Sequence, residues 1–287
     1  MTLEEYLHAR YTVETIKAYK REIEIYQNNF KQAEKADYKA IVQYIGSLRN
    51  RYHNPRTINR ILASIKAYYD FLSSSGKRKD NPAKAIRLRD KQNRDIQLQD
   101  LFSKEETESL LNRKERYPTL ESRNKVLISL LIYQGLTPYE IVVLTLGDIN
   151  LREASIYIKP TSSNNSRTLG LKPTQILLFH QYEKEIRPKL LKGALTDIFL
   201  IGHRGNPMTT EDISKHVIRS FKGLYAPRKV NCQTIRQSVI TQLLKAGNDL
   251  RIVQVFAGHK NPSTTEKYKQ SDVEALKGAI QNYHPLK

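Results

Sequence analysis

Arg236, His259 and Tyr268 stand near the C-terminus, separated by 23 and 9 residues. They lie in Gln-Thr-Ile-Arg-Gln-Ser (233–238), Ala-Gly-His (257–259) and Ser-Thr-Thr-Glu-Lys-Tyr (263–268). A guanidinium grips a phosphodiester with two parallel N–H bonds, because its planar fork matches oxyanion geometry. An imidazole can donate to a non-bridging oxygen or handle a proton near neutral pH. A phenol can attack phosphorus and hold a covalent ester, although a free pKa of about 10 makes it a weak nucleophile until its site activates it. Together these residue types suit transesterification of a DNA strand. Singly, each has a plainer reading: most of the 17 tyrosines must be packing residues, and an arginine on a helix is usually solvated.

Composition points to the same partner. The formal net charge is +19 and the pI about 9.8, so a polyanion is the expected ligand. An anionic membrane has less support, since no apolar run approaches the roughly 20 residues that span a bilayer. The most apolar segment, 126–132, has the length of a core helix. The N-terminal Met-Thr-Leu-Glu-Glu-Tyr lacks the basic and apolar regions of a secretory signal, and a cytoplasmic, nucleoid-associated location is the expectation. Cys232 is the single cysteine, which excludes an internal disulfide and a cysteine-cluster metal site. His203 and His216 have no cysteine or carboxylate cluster beside them, and no Walker-type glycine-rich lysine motif is present. Neither metal nor cofactor is expected.

The elements that must position these residues fall into two parts. Residues 1–82 read as helices: one capped by Thr12 and running to about Phe30 with Val13, Ile16, Ile23 and Phe30 on one face, a second over 38–48, and a third after Asn54-Pro55. The third carries an apolar stripe of Ile58, Ile61, Leu62, Ile65, Tyr68, Tyr69 and Leu72, and Gly76 with Asn81-Pro82 terminates it. Residues 83–100 are polar and read as a basic linker, with Lys84, Arg87, Arg89, Lys91 and Arg94 suited to lie along phosphates. Residues 1–95 carry +9 of the charge and the remaining 192 carry +10, so positive charge is about twice as dense in the N-terminal part.

The part from 101 to 287 opens with a capping box, Ser103 and Glu106. Helices are expected over 124–133, ending at Gly135, and from Pro138, which sits at an early-helix position. Residues 156–158 and 168–171 read as strands around a turn-rich 161–166 segment. Helices resume over 174–185, 210–221, 232–245 and 250–256. After Tyr268, Ser271-Asp272 resembles a helix start, with Val273, Leu276, Ala279 and Ile280 on one face. The expected fold is mainly α with a small β-sheet (α+β) in the C-terminal part, and all-α in the N-terminal part.

The Ile-Arg-x-Ser turn, the Ala-Gly-His step and the following Thr-x-x-x-Tyr, in this order, resemble the C-terminal signature of the tyrosine recombinase (phage integrase) family. The resemblance extends over nearly the whole chain and implies a two-domain DNA clamp: a helical, SAM-like core-binding domain, a linker closing one side, and a catalytic domain with a C-terminal exchange helix. It implies strand cleavage by Tyr268 through a 3′-phosphotyrosyl intermediate, with two protomers on each recombination site, a tetramer in the synapse, accessory DNA-bending proteins and service to a mobile element. A catalytically silent DNA-binding relative and a type IB topoisomerase-like nicking-closing enzyme are the alternatives.

Two positions depart from the family pattern. The family's first arginine follows Gly-Leu, where this chain reads Gly135-Leu136-Thr137-Pro138-Tyr139-Glu140-Ile141, so Thr137 replaces it. Gln233 stands three residues before Arg236, where a histidine or lysine is usual; its amide can still donate to phosphate but cannot carry a proton. Losing one preorganised donor costs about 3–4 kcal/mol of barrier, and losing a full charge can cost more. Arg167, at the far end of the hairpin turn, is the candidate replacement, or else a DNA contact. Arg123 and Lys125 are weaker candidates and read as solvated. The family's hairpin lysine, which protonates the leaving 5′-oxygen, corresponds to Lys159, with Lys172 on the returning strand as its rival.

Overall fold

The computed structural model describes residues 1–30, 32–90 and 100–269. The chain divides into two units, Met1–Arg94 and Asp95–Lys287.

Among the described residues the regular elements of the first unit are helices, built on α1 Leu3–His8, α2 Val13–Asn29, α3 Tyr38–Arg51 and α4 Pro55–Ser74. The short α1 has too few apolar residues to show a period, yet Thr2 and Glu5 close a capping box at its start. Pro55 opens α4 at a position where its missing N–H costs nothing, and Gly76 follows the helix at φ +73°. The whole expected stripe of α4 is buried against Ile16, Ile23 and Tyr26 of α2 and Ile41, Tyr44, Ile45 and Leu48 of α3. Val13, expected on the α2 core face, is instead exposed. In the centre, Tyr69 Oη donates to the Ala33 carbonyl at 2.7 Å and accepts from Tyr26 Oη at 2.7 Å, so both buried phenols are satisfied.

The segment 83–90, expected as linker, belongs to this core. Ala83 and Ile86 are buried in it and Leu88 packs on it, while Lys84, Arg87 and Arg89 face out. Lys66 Nζ donates to the Ile86 carbonyl at 2.7 Å, and Arg49 forks onto Asp90 at 2.7 and 3.0 Å. Composition concealed this because only three apolar side chains hold the segment. Lys91 and Arg94 lie outside the described residues.

The second unit is built on α6, Pro118–Tyr133, whose residues 126–132 are all buried. This helix begins six residues earlier than the apolar pattern suggests, because Pro118 sets its first turn. Around it lie α5 Lys104–Ser109, α7 Pro138–Val142, α8 Pro173–Gln181, α9 Arg187–Leu191, α10 Thr210–Phe221, α11 Cys232–Lys245, α12 Leu250–Ala257 and α13 Pro262–Lys269. The expected helix over 174–185 is α8 followed by a π-helical turn, Tyr182–Ile186, that leads into α9. The Ser103–Glu106 capping box forms, and Glu106 also takes both Nη groups of Arg228 at 2.9 and 2.6 Å. Arg123 is buried rather than solvated, donating to Asn124 Oδ1 and the Ile201 carbonyl.

A three-stranded antiparallel sheet, in the order β1 Ile149–Asn150, β2 Ser155–Ile158 and β3 Arg167–Gly170, carries the hairpin. The register sets Ile158 opposite Arg167, so the last residue of β2 faces the first of β3. Thr161 closes the intervening turn: its Oγ1 accepts from Asn164 N at 2.9 Å and its N–H donates to the Asn164 carbonyl at 2.8 Å. The apolar helix expected after Ser271 lies outside the described residues.

Candidate active site

Helices α11, α12 and α13 bring the sequence triplet together. Arg236 is on the second turn of α11 with its side chain 4% exposed. Its Nη1 donates to the Gly135 carbonyl and its Nη2 to the Ala257 carbonyl, tying the turn after α6 to the end of α12. Gly258 ends α12 at φ +71°, a left-handed conformation in which glycine has no steric cost, and this turn delivers His259. Tyr268 on α13 is buried against Ile240, Val253 and Ala257. Its ring lies nearly parallel to that of His259, with centroids 6.0 Å apart and an interplanar angle of 18°.

A buried carboxylate organises the cations. Glu140 Oε1 accepts from Arg167 Nη1 at 2.7 Å and from Asn164 Nδ2 at 3.0 Å; Oε2 accepts from Thr137 N at 2.8 Å and Oγ1 at 2.9 Å, with Arg236 Nη1 at 3.8 Å. Burial alone would raise the Glu140 carboxyl, but the bond and charge of Arg167, the Thr137 N–H and the Arg236 charge outweigh it and hold it below the usual carboxylate range. Thr137 is committed locally, as the N-cap of α7 that closes a capping box with Glu140. Its hydroxyl does not replace the guanidinium that the family pattern has there.

Arg167 is inside the site. Its side chain is 2% exposed, and Nε and Nη2 are buried without a hydrogen-bond partner among the described residues. It reaches Glu140 by passing over the Gly258 backbone, where a β-carbon would come within 2.5 Å of Nη1. Two bonds fasten the hairpin turn to this step: Asn165 N donates to the Gly258 carbonyl at 2.7 Å, and Lys260 Nζ to the Ser162 carbonyl at 3.0 Å. Two orphaned donors on a buried guanidinium make a fork suited to an anion.

The remaining site candidates share no hydrogen bond or ion pair with this cluster among the described residues. Lys159 follows β2 as expected but pairs with Asp148 at 2.9 Å, its side chain 42% exposed. Lys172, its rival, lies over the Tyr133 ring at 4.1 Å. Gln233 is exposed on the first turn of α11, one turn ahead of Arg236. Glu140, Asn164 and Gly258 join the site without having been expected there. For Glu140 a signal was present, since Thr137-Pro138-Tyr139-Glu140 has capping-box spacing; for Asn164 there was none beyond a turn.

The protonation states follow from burial. The His259 imidazole is pushed down to about 4, by desolvation first and by the Arg236 and Arg167 charges second, so it is neutral at physiological pH. Burial raises the Tyr268 phenol, against the pull of Arg236. In this state the cluster sets two guanidiniums against one carboxylate, beside a neutral imidazole and a protonated phenol.

Comparisons with known proteins agree with this architecture. The model of the phage integrase family matches residues 101–275, and that of the phage integrase N-terminal SAM-like domain matches residues 3–76. Tyrosine recombinase XerD of Listeria innocua is 27% identical over 278 residues, covering 94% of this chain and 92% of the relative. XerD of Halalkalibacterium halodurans is 26% identical over 277 residues, covering 94% and 91%. Among solved structures, XerH site-specific recombinase in a post-cleavage complex with a palindromic difH substrate superposes with a TM-score of 0.73 at 19% identity, covering 92% of this chain and 78% of that one. A lambda integrase dimer bound to a core site gives 0.70 at 14% identity, covering 93% and 92%. The chain belongs to the phage integrase family. Its class of activity is that of a tyrosine-type, site-specific DNA recombinase. No helix among the described residues is long and apolar enough to cross a membrane.

Proposed function

We propose that Tyr268 is the nucleophile and that Arg236 and Arg167 together form the clamp on the scissile phosphate. The phenolic oxygen bonds to phosphorus as the bond to the 5′-oxygen breaks, leaving a 3′-phosphotyrosyl ester and a 5′-hydroxyl. The phenolic proton passes to solvent, and Lys159, released from Asp148, protonates the leaving oxygen. Arg167 supplies the charge that Thr137 does not, through its Nε and Nη2 donors. His259 donates to a non-bridging oxygen, and Gln233 contributes an amide N–H from the first turn of α11. The ester conserves the energy of the broken bond, so the 5′-hydroxyl of a partner strand reverses the step with neither nucleotide nor metal. The observation that carries this reading is the buried, half-partnered Arg167 beside Arg236 and His259.

The same reading extends to the assembly: two protomers on each site, a tetramer in the synapse, and donation of the segment after Tyr268 to a neighbouring protomer, with accessory DNA-bending proteins. It gives the protein a role in integrating, excising or inverting a mobile element in the cytoplasm, on nucleoid DNA. A silent DNA-binding relative is favoured by one observation, the Thr137 hydroxyl committed to its helix cap. The two readings separate on a nicked suicide substrate built on a site selected from random DNA by the protein itself. A covalent complex with the wild type, lost in Tyr268→Phe while DNA affinity is kept, is the expected result. Binding without any covalent complex would establish the silent relative, and an adduct surviving in Tyr268→Phe would move the nucleophile elsewhere.

A further inference from the structure

His259 Nδ1 lies 2.8 Å from the hydroxyl of Thr265, a residue on α13 with no exposed surface. Either atom can be the donor, and the choice decides which ring nitrogen carries the single proton of a neutral imidazole. Counting donors settles it. The backbone of His259 is already committed, its N–H to the Gln254 carbonyl at 3.1 Å and its carbonyl to Gln254 Nε2 at 3.0 Å. The Thr265 hydroxyl has no other hydrogen-bond partner among the described residues. If Nδ1–H donated to Oγ1, the hydroxyl proton would be buried without an acceptor, a heavily penalised arrangement. If the hydroxyl donates to Nδ1, its proton has an acceptor, and Nε2 is not among the buried unpartnered atoms of the described residues.

We infer that Thr265 is a positioning residue that donates to His259 Nδ1 and thereby fixes the imidazole as its Nε2–H tautomer. The nitrogen left for a ligand is then a donor and not a base. In the recombinase reading above, on which this inference rests for its functional meaning, His259 supports a phosphate oxygen and does not accept the Tyr268 proton. The neighbouring Arg236 and Arg167 charges favour the same neutral form, since a second proton on the ring would add to them. Thr265 lies three residues before Tyr268 on one helix, so the same turn that carries the nucleophile also sets the tautomer of its neighbour.

The test is nitrogen NMR of histidine-labelled full-length protein without DNA, with the His259 signal assigned by its loss in His259→Asn. The wild type should show a pyridine-like Nδ1 and a protonated Nε2. Thr265→Val, which keeps the shape and removes the hydroxyl, should show a mixture of tautomers, and Thr265→Ser should restore the wild-type pattern. On the suicide substrate, Thr265→Val should cleave roughly 10- to 100-fold more slowly at unchanged DNA affinity, with Thr265→Ser close to wild type. A protonated Nδ1 in the wild type, or a Thr265→Val protein with the wild-type tautomer, overturns the inference. Absence of cleavage by every form would sink the recombinase reading instead, and the tautomer signal would still decide the role of Thr265.

Discussion

Each unit of this protein buries one glutamate between two arginines, and the two arrangements are opposites in how they treat the cations. In the helical unit, Glu22 is 4% exposed and takes Arg21 at 2.8 Å and Arg60 at 2.9 Å, but those arginines are 67% and 39% exposed. Their remaining N–H groups are open to solvent, and the trio is a surface device with a sunken anion. In the second unit, Glu140 has no exposed side-chain surface, and Arg167 and Arg236 are 2% and 4% exposed. There the two positive charges face one carboxylate, and two donors of Arg167 have no partner among the described residues. A fold gains little stability from such a site, because desolvating charges costs more than imperfect pairing returns. Its excess of positive charge and the two donors without a partner among the described residues are what the proposed phosphate clamp uses.

The sharpest way to break the comparison is to evict Arg167 without touching it. Gly258→Ala places a methyl within 2.5 Å of Nη1, on a backbone already at φ +71°. Cleavage should fall about 10²–10³-fold, as for Arg167→Ala, and the double variant should be no slower than either. Thr137→Arg, which returns a guanidinium to its family position, should recover part of the rate in the Arg167→Ala background. A double variant whose losses multiply would mean that Gly258 and Arg167 act separately.

Next in size is the contrast between the two glutamates, read by denaturant unfolding. Glu140→Gln leaves two buried guanidiniums facing a neutral amide and should cost about 3–5 kcal/mol. Glu22→Gln leaves arginines that water can solvate and should cost about 1 kcal/mol or less, with cleavage unchanged. Equal losses would erase the distinction between the sites.

The smallest effect concerns pH. His259 and His216 are both held neutral by burial, each pushed down to about 4 from an ordinary 6.5. With the folded value depressed, the unfolded chain binds the proton first as pH falls. The stability due to neutral histidine is full above pH 6.5 and is lost progressively between 6.5 and about 4, on the order of 3 kcal/mol or less for each ring. His216→Asn should flatten this slope while leaving cleavage intact, whereas His259→Asn should flatten it and slow cleavage. A wild-type stability that does not change across that window would contradict both assignments.

The sequence by itself determined the elements whose signals are local. The bounds of α10 and α11, the Ser103–Glu106 cap and the core stripe of α4 follow from capping residues and periodicity within a few turns. Arg236, His259 and Tyr268 were legible because motifs at fixed spacing on neighbouring helices fix their order. Tertiary structure decided what fills the space between them. Whether Arg167 faces solvent or the interior beside Arg236 depends on Glu140, 27 residues away, and on the absence of a side chain at Gly258. The docking of 83–90 through Ala83, Ile86 and Leu88, the pairing of Lys159 with Asp148 and the burial of Arg123 are of the same kind. A charged side chain has no intrinsic preference strong enough to place it. Its position is set by the partners that offset its desolvation, and those partners meet only when the chain has folded.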